Sequence, residues 1–296
     1  MTSNVDKLLG RSFAILAFVA WGVASAPISA EQGPAVAPTS PQEGNFEEVD
    51  LSRFFVGMEG TFVLVDAQQG LTRVYNPARA EQRFLPASTF KIANSLVVLE
   101  TAVVDGPDFA LPWDPRATPP QGWWPESWQR DQSLRTAFQN SVYWFYQELA
   151  RRVGEDRMGT YLQQFRYGNQ DLGGGLDRFW LHGDLRISPF EQVAFLQRFY
   201  FGDLGVSERT GRIVQDVMVL EDHPHYRLSG KTGTADVTPT KELGWLVGFL
   251  ERGEAVYFFA LNMEGERVWE DWPPHQRKEL VRRLLTELGV IAPPAG

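Results

Sequence analysis

Residues 86–100 read Pro-Ala-Ser-Thr-Phe-Lys-Ile-Ala-Asn-Ser-Leu-Val-Val-Leu-Glu, and this stretch carries the first decisive pattern of the chain. The apolar spacing after Ser88 predicts a helix, and Pro86 stands just before its expected start. Positions i and i+3 of a helix share a face, so the Lys91 amine can reach the Ser88 hydroxyl. A neutral lysine beside a serine at a helix N-terminus can turn that hydroxyl into a nucleophile.

A second motif, Lys231-Thr-Gly233, lies further along in strand-like sequence. A lysine and a hydroxyl at a strand edge can hold a substrate carboxylate, and the glycine lets a ligand approach the backbone. By average residue usage, Ser-x-x-Lys occurs about once by chance in a chain of this length, and Lys-Thr-Gly in roughly one chain in fifteen. The ordered set is far rarer, because three more motifs stand between them: Ser141-Val-Tyr, Tyr167-Gly-Asn and Phe179-Trp-Leu.

With these motifs in this order, the chain resembles the class D (oxacillinase-type) serine β-lactamases, which belong to the penicillin-recognising serine enzymes. Gly244-Trp-x-Val-Gly248 adds to the resemblance, which extends over nearly the whole chain after its N-terminal region. It implies hydrolysis of the amide bond of β-lactam antibiotics, which are the expected small-molecule partners. It implies no metal and no cofactor apart from carbon dioxide.

The resemblance also implies residue roles. Ser88 would form the acyl-enzyme with Lys91 as general base, while Ser141 would relay a proton in contact with Lys231. The backbone N–H groups of Ser88 and Thr234 would form the oxyanion hole. The residues that would bind substrate are Thr232, Gly233, Tyr167, Asn169 and Arg277. Arg267 competes with Arg277 for the substrate carboxylate, since the stretch after Met263 is longer than is usual in the family.

Lys91 has a further role in this family, as a carboxylated lysine. Packed among Phe90, Val142 and Trp180, the amine would lose hydration and stay neutral, and a neutral amine can combine with carbon dioxide. The resulting carbamate would activate Ser88 and later water, with Trp180 donating a hydrogen bond to it.

The elements around the motifs predict an α/β (α+β) fold of the β-lactamase/transpeptidase type. Strands near both ends surround a helix-rich middle, which indicates an antiparallel sheet flanked by terminal helices with an inserted all-helical subdomain. The predicted strands are 61–66, 71–75, 243–250 and 255–261, and the predicted helices are 88–100, 134–153, 157–165, 189–201 and about 274–288.

The N-terminus predicts export. A basic region, a short apolar run and small residues are typical of a secretory signal peptide, here residues 1–30, with cleavage after Ala30 favoured over Ala26. An uncleaved anchor is the alternative, but the run is shorter than the roughly 20 residues that a span needs. We expect a flexible tail over 31–46 and one catalytic domain over 47–296, with the helical subdomain at about 106–200. The mature protein would be secreted or periplasmic, without stable membrane association.

Composition excludes other classes of function. The net charge of −9 opposes nucleic-acid binding, and the absence of cysteine removes thiol nucleophiles and cysteine metal ligands. No Gly-x-Ser-x-Gly elbow occurs, and Ser141-Val-Tyr stands where class A enzymes have Ser-Asp-Asn. Residues 222–225, Asp-His-Pro-His, favour a polar turn over a metal clip.

Three alternatives share the predicted fold: a non-hydrolysing antibiotic sensor domain, a cell-wall DD-peptidase and a non-catalytic peptidoglycan-binding module. Sensor domains normally follow several membrane spans, and DD-peptidases are usually larger and anchored. Loss of catalysis is disfavoured, because Ser88, Lys91, Ser141 and Lys231 are all present. The sequence predicts no particular oligomeric state.

Overall fold

A computed structural model describes residues 45–293 of the protein. The strands are β1 (Asn45–Glu48), β2 (Glu59–Asp66), β3 (Leu71–Tyr75), β4 (Ala110–Leu111), β5 (Gln132–Ser133), β6 (Val219–His223), β7 (Tyr226–Thr238), β8 (Lys241–Arg252) and β9 (Ala255–Gly265). Seven of them form one sheet in the order β1-β3-β2-β9-β8-β7-β6, and β4 pairs with β5 in a separate ribbon. Every pairing in the large sheet is antiparallel except that of β1 with β3.

The helices of this part of the chain are α1 (Pro77–Ala80), α2 (Lys91–Glu100), α3 (Leu134–Gln139), α4 (Tyr143–Val153), α5 (Glu155–Gln164), α6 (Pro189–Tyr200), α7 (Glu208–Val217), α8 (Val268–Asp271) and α9 (Pro274–Glu287). In the described range, none combines the length and the apolar character that a membrane crossing requires.

The central sheet is buried on both faces. On β2, Val63 and Val65 join the larger core, on the side of the helical layer, while Phe62 and Leu64 join a second core. That second core also contains side chains of α9, so this helix packs on the opposite face of the sheet. The alternation follows from the two-residue period of a strand. Helices on both sides therefore hold the sheet, and β7 in particular, in a fixed position.

Helix α2 lies in the middle of the helical layer. Every residue from Lys91 to Leu99 is buried, and the helix packs against α4 and α7. A helix that is enclosed on all sides belongs to the interior. Lys91 is thus carried into the core by the burial of its own helix.

The predicted fold class is confirmed, and the structure corrects several details of it. The predicted helix 134–153 is interrupted at Asn140–Val142, between α3 and α4. The inserted region also contains the β4–β5 ribbon, so it is not entirely helical, and α6 packs on the sheet. Helix α7 and strand β6 were not predicted. Helix α7 does carry a helical period, since its buried residues are Thr210, Val214 and Val217, whereas β6 is largely exposed and shows no apolar alternation.

The predicted flexible tail is too long by two residues. Asn45 and Phe46 belong to β1, where they pair with Leu71 and Thr72 of β3. The predicted signal peptide and the rest of the predicted tail lie outside the described residues.

Candidate active site

Ser88 and Lys91 lie together at the start of α2. Ser88 belongs to a short 3-10 turn, Ala87–Phe90, which continues into α2 at Lys91. The Lys91 Nζ atom is 2.9 Å from the Ser88 Oγ atom, which is hydrogen-bond distance. Ser88 is partly exposed in a cavity, whereas the side chain of Lys91 is buried. The structure therefore contains the predicted serine–amine pair. Ser88 lies in the 3-10 turn that precedes the α-helix and not in the helix itself.

Burial lowers the pKa of the Lys91 amine to about 7, because an ammonium ion loses its hydration inside the protein. Desolvation is the only cause of the shift, and no opposite charge offsets it. The aromatic ring of Tyr146 lies 5.2 Å from Nζ. Near neutral pH, much of this amine is therefore unprotonated and able to accept a proton from Ser88.

Ser141, which lines the same cavity, forms a second pair with Lys231. The Lys231 Nζ atom donates to the Ser141 Oγ atom at 3.1 Å and to the Thr232 carbonyl at 2.9 Å. Burial holds the pKa of Lys231 well below its ordinary value, and the charges of Lys91 and Arg277 lower it further. The two serine–lysine pairs are thus electrostatically coupled, although no hydrogen bond joins them among the described side chains.

Two residues of the site have strained backbones. Ala87, just before the nucleophile, has φ = 49°, and Ser141 has φ = 59°. Such left-handed conformations cost an L-residue roughly 1–2 kcal/mol, so the surrounding structure must hold them. At Ser141 the strain ends α3 and turns the hydroxyl toward Lys231, which explains why the predicted long helix is interrupted there.

Strand β7 passes directly beside the nucleophile turn. A Cβ atom built on Gly233 would lie 3.0 Å from the Pro86 carbonyl oxygen and 3.3 Å from the Ser88 backbone nitrogen. The glycine therefore lets β7 approach the turn, in addition to the predicted approach of a ligand. Thr232, Gly233 and Thr234 all line the cavity, so the backbones of Ser88 and Thr234 lie at the same site, as the predicted oxyanion hole requires.

Arg277, and not Arg267, lies at the cavity. Its guanidinium is buried and donates to the carbonyls of Trp272, Gly233 and Trp245 and to the Thr234 hydroxyl. These bonds use four of its five N–H groups. Burial lowers its pKa to about 10, against the attraction of Glu242, so it stays cationic at neutral pH. The Arg267 side chain is 63% exposed and pairs with Glu270.

The cavity has a volume of about 610 Å³. Its wall holds the predicted Ser88, Ser141, Thr232, Gly233, Thr234 and Arg277. It also holds aromatic side chains, of which Trp123 and Trp269 are 58% and 50% exposed. Trp269 was not predicted to line the site. The only hint in the sequence was the unusual length of the segment after Met263. This segment forms α8, which carries the Trp269 side chain to the cavity.

The residues predicted around the amine are buried together. Phe90, Val142 and Trp180 have no exposed surface and share the core cluster behind the nucleophile turn. The ring of Phe90 lies 5.4 Å from that of Trp180. The Trp180 Nε1–H has no acceptor among the described residues, although it is fully buried. A buried donor without a partner is costly, so this group is suited to an added acceptor.

Tyr167 and Asn169 are not placed where substrate could touch them. Tyr167 is fully buried, and neither residue lines the cavity. The Asn169 side chain instead donates to the Asp184 carbonyl at 2.8 Å and accepts from the Arg186 backbone N–H. The prediction that they bind substrate does not agree with this geometry, because neither side chain reaches the cavity.

No metal site is evident between residues 45 and 293, where no three His, Asp or Glu side chains are arranged to hold an ion. Asp222 and His223 end β6, and His225 leads into β7. This segment is the polar turn of a hairpin, as the sequence favours.

Comparison with known proteins identifies relatives over most of the chain. The penicillin binding protein transpeptidase domain family matches residues 60–286. Beta-lactamase OXA-19 of Pseudomonas aeruginosa is 40% identical over 238 residues, covering 79% of this chain and 86% of that protein. Beta-lactamase OXA-48 of Klebsiella pneumoniae is 45% identical over 197 residues, covering 67% of this chain and 71% of that protein.

Solved structures agree with these relatives. The crystal structure of the class D β-lactamase YbXI from Nostoc has a TM-score of 0.76 and 43% identity, and covers 82% of this chain and all of that one. The regulatory protein BlaR1 of Bacillus licheniformis is 35% identical over 225 residues, which cover 75% of this chain but 36% of that protein. The C-terminal domain of the penicillin-receptor BlaR from the same organism has a TM-score of 0.77 and 32% identity, with coverage of 84% of this chain and 98% of that domain.

Proposed function

The chain belongs to the class D serine β-lactamases, and from this premise we propose that it hydrolyses penicillin-type antibiotics through an acyl-enzyme on Ser88, with a carboxylated Lys91 as general base. The observation that carries the proposal is the 2.9 Å contact between the Ser88 hydroxyl and a buried amine. The pKa of that amine, about 7, makes the neutral form available at neutral pH.

Acylation follows from the two serine–lysine pairs. The Ser88 oxygen attacks the lactam carbonyl carbon, and the Lys91 side chain accepts the proton of the Ser88 hydroxyl. The backbone N–H groups of Ser88 and Thr234 stabilise the negative oxygen that develops, because fixed dipoles in a buried site need no reorganisation. The lactam C–N bond then breaks, and the departing nitrogen takes a proton from Ser141. Lys231, in contact with Ser141, replaces that proton.

The residues around Lys91 fit a carbamate. Combination with carbon dioxide requires a neutral amine, which burial provides at this position. Trp180 holds a buried N–H without an acceptor, and a carbamate oxygen is an acceptor of the kind that it lacks. The modification would supply an anionic oxygen that accepts protons from Ser88 and from the deacylating water. Without it, Lys91 would act as a plain amine base.

Arg277 and Thr232 would hold the substrate carboxylate. We expect Arg277→Ala to lower kcat/KM about 10- to 100-fold, chiefly through KM, since a charge-assisted hydrogen bond contributes roughly 1.5–3 kcal/mol. Steady-state kinetics on a penicillin and on its methyl ester would measure the effect. The ester lacks the charge, so its kcat/KM should be much less sensitive to the substitution.

Arg267→Ala is the matched control, because the same charge is removed from an exposed ion pair. It should leave both substrates unaffected. Equal losses for the acid and the ester in Arg277→Ala would show that the arginine supports only the fold of the site, through its bonds to Gly233 and Trp245.

A non-hydrolysing antibiotic sensor is the second candidate function. It is supported by the BlaR penicillin-receptor domain, whose TM-score to this chain is similar to that of the class D β-lactamase from Nostoc. Steady-state hydrolysis of a chromogenic cephalosporin separates the candidates. We expect continuous turnover for a β-lactamase. A single stoichiometric burst would indicate a sensor, a slow burst a DD-peptidase, and no reaction a non-catalytic binding module.

The same premise supports export as the setting of the reaction. We propose that residues 1–30 are a signal peptide and that the mature enzyme is secreted or periplasmic, where it would meet β-lactams before they reach their targets. N-terminal sequencing of protein from the secreted or periplasmic fraction would test cleavage at Ala30 against Ala26. Retention of the intact N-terminus in membranes would contradict the proposal.

A further inference from the structure

A chain of buried polar side chains lies behind the nucleophile turn. The Thr89 hydroxyl donates to the Pro86 carbonyl at 2.7 Å, and the Gln192 Nε2 atom of α6 donates to the Thr89 Oγ1 atom at 2.8 Å. Thr89 and Gln192 have no exposed surface. Because Thr89 accepts from Gln192, its single hydrogen is directed to the Pro86 carbonyl. Helix α6 therefore fixes a backbone carbonyl that lies two residues before Ser88.

The Tyr167 hydroxyl lies beside this chain of groups. Burial raises the pKa of the Tyr167 hydroxyl. The neighbouring side chains of Thr89 and Gln192 lower the same pKa by a smaller amount. The Gln192 Oε1 atom is a buried acceptor without an assigned donor, and the Tyr167 hydroxyl is a buried group without an assigned acceptor. The two groups are complementary, although the structure forms no hydrogen bond between them, so Tyr167 is a polar neighbour of the bonded Thr89–Gln192 pair.

The Tyr-Gly-Asn motif ties the neighbouring backbone to the same place. Gly168 has φ = 54°, and a Cβ atom there would lie 1.9 Å from the Arg186 carbonyl oxygen, so only glycine allows the close approach. Asn169 bonds to the backbone of Asp184 and Arg186, just before α6 begins. The motif therefore fixes the segment that carries Gln192, and this explains its residues without any contact to substrate.

The end point of this chain is the strained peptide beside the nucleophile. Pro86 is followed by Ala87, whose positive φ sets the direction of the next peptide unit, and the N–H of that unit belongs to Ser88. A fixed Pro86 carbonyl leaves Ala87 little freedom to relax. Relaxation of Ala87 would rotate the Ser88 N–H away from the oxygen of the reacting carbonyl.

We propose that Tyr167, Gln192 and Thr89 are positioning residues that hold the backbone N–H of Ser88 in its oxyanion-hole orientation. The inference rests on the proposed function, since an oxyanion hole matters only if Ser88 is acylated. The three residues touch neither substrate nor the reacting atoms. They act through the Pro86 carbonyl and the strained Ala87 backbone.

The test measures the rate at which a slowly hydrolysed β-lactam labels Ser88, per folded molecule. Thr89→Val and Gln192→Met keep the volume but remove the polar groups, and each should slow the acylation step at least about tenfold. The noncovalent affinity for the β-lactam should stay unchanged, because Thr232 and Arg277 are intact. Tyr167→Phe should give a smaller loss, and Thr89→Ser, which keeps the hydroxyl, should restore most of the rate.

A matched control comes from β2, where the buried Thr61 hydroxyl donates to the Tyr75 carbonyl at 2.6 Å, away from the cavity. Thr61→Val should lower the melting temperature and leave the labelling rate per folded molecule unchanged. Equal rates in Thr89→Val, Gln192→Met and the unmodified protein would overturn the positioning role alone. Absence of Ser88 labelling in the unmodified protein would instead overturn the proposed function and the inference with it.

Discussion

Ser88→Ala is expected to abolish β-lactam hydrolysis, with a loss of kcat of roughly 10³-fold or more, since removal of a covalent nucleophile leaves only the binding and electrostatic parts of the site. Mass spectrometry after mixing with a slowly hydrolysed β-lactam should find one adduct on the peptide that contains Ser88, and none in the variant. The side chain is partly exposed at the cavity wall, so the variant should keep the fold of the parent protein.

Ser207→Ala serves as the control for this substitution. Ser207 caps α7 through the Thr210 backbone N–H, and it does not line the cavity. Its loss should reduce the free energy of unfolding by about 1 kcal/mol without changing turnover. An adduct on a residue other than Ser88, or full activity in Ser88→Ala, would contradict the assignment of the nucleophile.

Replacement of Lys91 is expected to have an effect of comparable size. Lys91→Met keeps an unbranched side chain in the buried site but removes the base, so any acyl-enzyme that still forms should persist instead of being hydrolysed. Rapid quenching and mass spectrometry would detect the trapped adduct. Prompt release of product by Lys91→Met would show that another group activates water.

The pKa of Lys91 sets the expected pH dependence. The free amine is protonated as pH falls through about 7, so the rate should decrease below that value, and loss of carbon dioxide from a carbamate acts in the same direction. Stability should follow a related course. Because the unfolded chain binds the proton up to a pKa near 10.4, the free energy of unfolding should rise with pH between about 7 and 10. Lys91→Met should show a smaller rise in carbon-dioxide-free buffer, because the lowered pKa of Lys231 still contributes to it.

Bicarbonate should raise the rate after degassing at mildly acidic pH, and labelled carbon dioxide should give a carbamate signal in carbon-13 NMR. Lys231 is the necessary control, because it is a second buried amine with a lowered pKa. Unlike Lys91, it is engaged with Ser141 and with the Thr232 carbonyl. The signal should disappear in Lys91→Met and remain in Lys231→Met. Rates indifferent to bicarbonate, together with an absent signal, would leave Lys91 as a plain amine base.

Much of the fold could be predicted from local pattern. The strands around Phe62 and Phe258 and the helix that follows Ser88 were identified, because burial of one or both faces leaves a regular apolar period. The largely exposed strand β6 leaves no such period, whereas α7 has one, at Thr210, Val214 and Val217, that was not recognised. The interruption at Ser141 was missed for a different reason. A left-handed backbone is maintained there by tertiary contacts, including that with Lys231 on a distant strand.

The order and spacing of the motifs, from Ser88-Thr-Phe-Lys through Tyr167-Gly-Asn to Lys231-Thr-Gly, were sufficient to identify the family, since a chance occurrence of the whole set is far rarer than that of any one motif. Only the tertiary structure decided which arginine reaches the cavity, because Arg277 and Arg267 have the same chemistry and differ in burial alone. The tertiary structure also places Tyr167 and Asn169 outside the lining of the cavity. Local sequence determines which groups a segment can offer, whereas the packing of segments far apart in the chain determines what those groups face.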